Sequence, residues 1–227
     1  MISHSFPVRL LSWEEAARLA QVLAGLVKSD SNRQPDLVIA IGRGGFVPAR
    51  VVCDELLITS LTSIRLEHWG PAASRKEKAL VKYPIACSVE DKDLLVIDDV
   101  SDTGDTLSAA VGYLQQLHPS RIRTGVLHHK VSSQFNPDYY AELVRDWHWI
   151  IYPWAIHEDL CGFLELELTS SPVTLSYLRE VLLKRYHLHV TSHDLLSAID
   201  DLVRMRKAVK KGEVYLTREN GSALSES

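Results

Sequence analysis

Residues 94–107 read LLVIDDVSDTGDTL, and this stretch decides the fold. Four branched apolar residues, Leu94 to Ile97, predict a buried strand. Thr103-Gly104-Asp105-Thr106 predicts a turn that opens a helix, because Thr and Asp suit N-caps and Gly suits a tight backbone. A strand that runs through a small-residue loop into a helix N-terminus aims backbone N–H groups at an anion. Asp98, Asp99, Asp102 and Asp105 would repel a bare phosphate. The stretch therefore asks for a ligand that needs a phosphate cradle and a row of carboxylates together.

Working outward, the same alternation recurs on both sides. Residues 12–28 open with a capping box, Ser12 with Glu15, and continue with Ala16, Leu19, Ala20, Leu23 and Val27 at helical spacing. DLVIAI (36–41) predicts a short buried strand, GRGG (42–45) a turn, and FVPARVVCDEL (46–56) a helix with Pro48 in its first turn, where Pro is tolerated. LTSIRLEHW (61–69) predicts a strand. The basic segment 70–84 has neither period and is expected to be a mobile loop. TLSAAVGYLQQL (106–117) and RIRTGVLHH (121–129) extend the pattern as helix and strand. Strand and helix alternating in this way define an α/β fold with a mainly parallel twisted sheet flanked by helices. Ligands sit at the carboxyl ends of such strands, so GRGG and DDVSDTGDT are expected to face one pocket.

The bulk properties bound the function. The chain has 227 residues, 46% of them hydrophobic and 24% charged, with a formal net charge of −4. That is the profile of a soluble globular protein and not of an electrostatic nucleic-acid binder. Cys53, Cys87 and Cys161 are odd in number, widely spaced and set among apolar residues, so buried thiols in a reducing, cytoplasmic setting are expected and not a disulfide frame. No export signal and no membrane-spanning run is seen. From about residue 170 the character changes to two short helices and a basic hairpin, the order of a small winged-helix-like unit. Two nucleotide motifs are excluded. GRGGFV has Val47 where the dinucleotide fingerprint needs its third glycine, and no P-loop occurs.

VIDDVSDTGDTL resembles the phosphoribosyl-pyrophosphate (PRPP) motif of the type I phosphoribosyltransferases. The resemblance implies that Asp102, Thr103, Gly104, Asp105 and Thr106 wrap the ligand's 5′-phosphate, with Val100 and Ser101 leading into that loop. It implies that Asp98 and Asp99 accept from the ribose hydroxyls, and that Mg²⁺ is held there indirectly or through PRPP. AIGRGGFVPAR is similar to the family's pyrophosphate loop, with Arg43 and the N–H groups of Gly44 and Gly45 gripping the leaving group.

The aromatic-rich segment 126–154 is similar to the purine hood of the prokaryotic hypoxanthine, xanthine and guanine enzymes. By that resemblance Lys130 donates to the purine 6-oxo group, Trp149 stacks on the ring, and the Ile150 main chain meets its two-position edge. A lysine suits a 6-oxo acceptor and opposes a 6-amino donor, which argues against adenine. Ala155 stands where relatives often carry an acid.

These resemblances imply a catalytic domain over residues 1–168, with the hood at about 129–155, and a C-terminal extension over 169–227. They imply transfer from PRPP to N9 of a 6-oxopurine in purine salvage, with Asp102 and Arg43 as catalytic residues, in a homodimer. The basic residues Arg75, Lys76 and Lys78 are candidates to close over the pyrophosphate. A PRPP-sensing regulator that uses the extension to bind DNA is the alternative. The weak charge of the extension and the retained Asp102 count against it.

Overall fold

The apolar runs read at 36–41 and 94–97 are short and branched, and both lie as strands in the middle of one sheet. The computed structural model describes residues 5–30, 34–68 and 79–218. In chain order the elements are β1 (Val8–Leu10), α1 (Trp13–Asp30), β2 (Leu37–Gly42), α2 (Phe46–Leu56), β3 (Leu61–His68), β4 (Ala79–Tyr83) and β5 (Asp93–Ser101). There follow α3 (Asp105–Gln115), β6 (Arg121–Lys130), β7 (Tyr139–Val144), β8 (Trp149–Ile151) and α4 (Ile156–Glu167). The last part holds β9 (Val173–Thr174), α5 (Leu175–Tyr186), α6 (Ser192–Arg204), β10 (Ala208–Lys211) and β11 (Val214–Thr217).

The chain divides into two compact units. One is Trp13–Trp147, and the other joins Met1–Ser12 to His148–Ser227. The first contains a six-stranded sheet in the order β4-β3-β2-β5-β6-β7. All its neighbours are parallel except β4, which runs antiparallel to β3 at one edge. Strands buried on both faces need apolar residues throughout. Leu37, Ile39, Ile41, Leu94 and Val96 accordingly meet Leu107, Ala110 and Leu114 of α3 on one face. The alternate residues, such as Val38, Ala40 and Leu95, are buried on the opposite face, which α1 and α2 cover. The strand order turns around between β2 and β5. This is the switch point at which open α/β sheets bind ligands.

The second unit is discontinuous. β1 pairs in parallel with β8, Arg9 opposite Ile150, and Phe6 packs its ring on Phe163 and Tyr186 at 5.8 and 5.1 Å between centroids. The rest runs helix, strand, helix, helix, hairpin, from α4 to β11, with its sheet ordered β10-β11-β9. Thr174 and Thr191 cap α5 and α6 by accepting from the N–H groups of Tyr177 and Asp194. Leu160, Leu164, Leu178, Leu182, Ile199 and Leu202 fill the core between the three helices. Each such side chain contributes roughly 1.5–3 kcal/mol by leaving water.

The two compact units meet in sequence between Trp147 and His148, where β1 and β8 pair with each other outside the large sheet. Two expectations need correction. Within 70–84, residues Ala79–Tyr83 form β4, where Lys82 bonds Glu67 of β3 at 2.8 Å. Arg75, Lys76 and Lys78 lie outside the described residues. Cys53 and Cys161 are buried, but Cys87 is exposed in the connection before β5. Among the described residues, no helix is long and apolar enough to cross a membrane.

Candidate active site

Two loops meet at the switch point, as their placement after β2 and β5 requires. Their contact is close enough to demand glycine. A Cβ added to Gly44 would lie 2.3 Å from an Asp99 carboxylate oxygen, so any side chain at 44 would push the two loops apart. The peptide between Gly42 and Arg43 is cis. The Gly45 N–H donates to the Ile41 carbonyl at 2.9 Å, and the Gly45 carbonyl accepts from Ala49 N–H at 3.0 Å. Gly45 is thus built into the start of α2, and its N–H is already committed. Arg43 is exposed at the tip of this loop.

The second loop lines a cleft of about 290 Å³, formed by residues 98–104 with Thr106 and Leu107. Asp98 is only 7% exposed and accepts the Asp99 N–H at 3.0 Å. Burial, and then the neighbouring Asp99 charge, push its carboxyl well above the usual carboxylate range. Gly104 begins α3 with a φ of 90°, a left-handed conformation that glycine adopts freely. The first helical bond that follows runs from Ser108 N–H to the Gly104 carbonyl. The N–H groups of the first turn have no partner within the helix, which is the anion-binding arrangement expected there. The Thr103 hydroxyl donates to Asp105 at 2.8 Å, so it must turn away from Asp105 to donate to a phosphate.

Asp102 stands at the mouth of this cleft, held by two donors. Lys130, at the end of β6, donates to its Oδ2 at 2.8 Å. The Trp147 indole N–H donates to its Oδ1 at 3.2 Å. The same Lys130 ammonium lies 4.6 Å from the centroid of the Trp147 ring. Lys130 is nearly buried, at 3% exposure, so its ammonium works in a drier setting than a surface lysine. A polar run after Lys130 straps the loop from outside. Ser132 bonds the Asp102 carbonyl at 3.2 Å, Ser133 bonds Ser101 at 2.7 Å, and Gln134 N–H bonds the Thr103 carbonyl at 2.8 Å.

The expected residues therefore fall into two groups. The unit Trp13–Trp147 brings Arg43, Gly44, Gly45, Lys130 and the whole run from Asp98 to Thr106 to the switch-point end of its sheet. Trp149 and Ile150 belong to the other unit, on β8. The Trp149 ring lies 6.4 Å from that of Phe6 and 6.3 Å from that of Phe163. The bonds from Trp149 N–H to Pro7 and from Leu11 N–H to Ile151 fix the phase of the β1–β8 ladder. In a parallel ladder that phase turns the Ile150 N–H and carbonyl away from β1. Trp147 and the Ser132–Gln134 strap were not read from the sequence. The strap's one signal was the polar run Ser132-Ser133-Gln134, which follows Lys130 after Val131. His128 and His129 form no metal cluster. His128 lies 3.9 Å from Glu142, and His129 lies against Tyr140 with ring centroids 5.2 Å apart. No group of three or more metal-binding side chains occurs among the described residues.

An open, mainly parallel sheet with an acid pair, a helix N-terminus and a glycine-rich loop at its switch point defines an α/β protein with a polar cleft at the carboxyl ends of its strands. The model of the phosphoribosyl transferase domain family matches residues 9–159, and the chain belongs to that family of enzymes. It is 29% identical over 163 residues to a xanthine-guanine phosphoribosyltransferase of Idiomarina loihiensis, covering 70% of this chain and 96% of that one. A second xanthine-guanine phosphoribosyltransferase, of a Ruegeria species, is 29% identical over 63% of this chain and 83% of its own length. Among solved structures, a purine phosphoribosyltransferase from Pyrococcus horikoshii superposes with a TM-score of 0.57 at 30% identity, covering 65% of this chain and 93% of that one.

Proposed function

We propose that the protein transfers the 5-phosphoribosyl group of PRPP to N9 of a 6-oxopurine (hypoxanthine, guanine or xanthine), releasing pyrophosphate, as a purine salvage enzyme. The observation that carries this reading is the Lys130–Asp102 pair at the lip of the phosphate cradle. It places a donor suited to a 6-oxo group beside a carboxylate suited to proton exchange. The relatives named above support a purine substrate.

The roles follow from position. The first-turn N–H groups of α3 and the hydroxyls of Thr103 and Thr106 hold the 5′-phosphate. Asp98 and Asp99 accept from the ribose hydroxyls, and a hydroxyl donor relieves the cost of burying Asp98. Arg43 and the Gly44 N–H grip pyrophosphate, while the Gly45 N–H shapes the loop through Ile41. As N9 bonds C1′, the C1′–oxygen bond breaks and its electron pair leaves on pyrophosphate. Positive charge builds on the sugar ring, as in glycoside cleavage. Asp102 exchanges the purine proton at N7 as general acid/base. Trp149 and the Ile150 main chain serve the ring, as their resemblance implies.

The donor set fits Mg²⁺. Two adjacent carboxylates, one of them buried, leave the remaining oxygen ligands to the phosphates of the substrate. When bound, Mg²⁺ neutralises charge on the leaving pyrophosphate. The alternative of a DNA-binding regulator is disfavoured by α6. Its partly or fully exposed positions carry Asp194, Asp200 and Asp201, and Arg204 is paired with Asp201 at 2.5 Å. A duplex backbone would be repelled there.

The test mixes the protein with Mg²⁺, PRPP and each of hypoxanthine, guanine, xanthine and adenine, and follows nucleotide formation by absorbance. Turnover with a 6-oxopurine and not with adenine is expected. It should fall roughly 10²–10⁴-fold in Asp102→Asn, the usual worth of a general acid/base. PRPP binding without turnover of any base would overturn the enzyme reading.

A further inference from the structure

We propose that Trp147 is a positioning residue for proton exchange. It holds Asp102 through its indole N–H while Lys130 passes from Asp102 to the purine. The inference rests on the transfer reaction proposed above and deepens it.

Two demands on this cluster conflict. Lys130 donates to Asp102 at 2.8 Å, yet the same ammonium must donate to the purine 6-oxo group. Lys130 is almost wholly buried, so its head can shift by only a short arc between the two acceptors. When it shifts, Asp102 loses its cation just as it must exchange a proton. A carboxylate left without donors becomes more basic and turns freely about its side-chain bonds. The Trp147 N–H on Oδ1 prevents both, because it bonds the oxygen that Lys130 does not use. An indole can only donate. It therefore favours ionised Asp102 and cannot take the proton itself. Its ring face meanwhile gives the moving ammonium a second, undirected attraction, at 4.6 Å from the centroid. The charged residues on the elements that carry this cluster are Asp98 and Asp99 on β5, which line the same cleft, Asp105 at the head of α3, and Arg145 and Asp146 just before Trp147.

Trp147→Phe keeps a ring beneath Lys130 and removes only the donor. Trp147 is 44% exposed, so this change leaves the core intact. The expected result is a kcat lowered about tenfold to a hundredfold, the usual worth of a hydrogen bond to a charged group. KM for PRPP should stay within about twofold, and the acid limb of the kcat/KM profile should move to higher pH. A kcat and an acid limb unchanged from wild type would overturn the proposal. The indole N–H resonance of Trp147 provides an independent readout. It should titrate with Asp102, lose that titration in Asp102→Asn, and keep its bonded position when inosine monophosphate binds. A resonance that returns to the position of a solvated indole on nucleotide binding would also overturn it. If the wild type turns over no base, the transfer reaction fails, and the indole titration alone still decides whether Trp147 controls Asp102.

Discussion

Asp93 and Asp98 lie on the same strand, β5, and both are nearly buried, at 4% and 7% exposure. Asp93, at the start of the strand, faces Arg123 of β6. The Nε and Nη2 of Arg123 donate to one carboxylate oxygen at 3.1 and 2.9 Å. Asp98, toward the carboxyl end, has a second acid, Asp99, as its neighbour and accepts that residue's backbone N–H. One end of the strand buries charge together with its counter-charge. The other sets a buried acid beside a second acid, which disfavours its charged form, and opens onto a cleft. Strained electrostatics of the second kind are common at functional sites, and the proposed ribose-binding role of Asp98 fits that end of the strand.

Substitutions can break or sharpen this contrast. The largest effect is expected at the compensated end. Asp93→Ala takes the counter-charge from the buried Arg123 guanidinium, which keeps its Tyr139 bond, so chemical denaturation should show a loss of about 3–5 kcal/mol. Turnover per folded molecule should be unchanged. A loss below about 1 kcal/mol would mean that the pair is no stronger than a surface contact. At the binding end, Gly44→Ala places a methyl on the Asp99 carboxylate. A strain of about 1–3 kcal/mol is expected, read by calorimetry as roughly tenfold weaker PRPP binding. The smallest effect is expected from Asp98→Asn. Wild-type Asp98 binds its proton more tightly folded than unfolded. Its favourable contribution is present below the ordinary carboxylate pKa and is lost as pH rises through the raised folded value. The ligand-free variant should therefore melt higher than wild type at pH 8, with the gap closing toward pH 4, while its PRPP affinity drops. An equal Tm difference at both pH values would sink this account.

What could be read from the sequence was what local pattern controls. α2 occupies residues 46–56 as its apolar spacing and early Pro48 implied, and the LLVI run lies in β5. The loop after it needed only its residue types, because a phosphate cradle is a backbone device with a short signature. Features set by distant partners were not legible. β4 is a strand because β3 offers it an edge. α4, whose apolar residues alternate with acids in AIHEDLCGFLELE, was not read as a helix, although Leu160 and Leu164 are buried in its unit's core. The division at Trp147 and His148 depends on a parallel pairing between β1 and β8, which leaves no local periodicity. Trp147 was passed over for a similar reason. Two tryptophans two residues apart look alike on paper, and only the fold sends one to Asp102 and the other to Phe6 and Phe163.

The pairing of β1 with β8 also sets an order of events during synthesis. Phe6, Val8 and Leu10 leave the ribosome with no strand to join, because Trp149–Ile151 follow only after the whole of Trp13–Trp147 has been made. At roughly 5–20 residues per second the wait is on the order of ten seconds. By then the large sheet can already be complete. β1 is thus a closing clasp applied late, after the sheet of the other unit can already have formed.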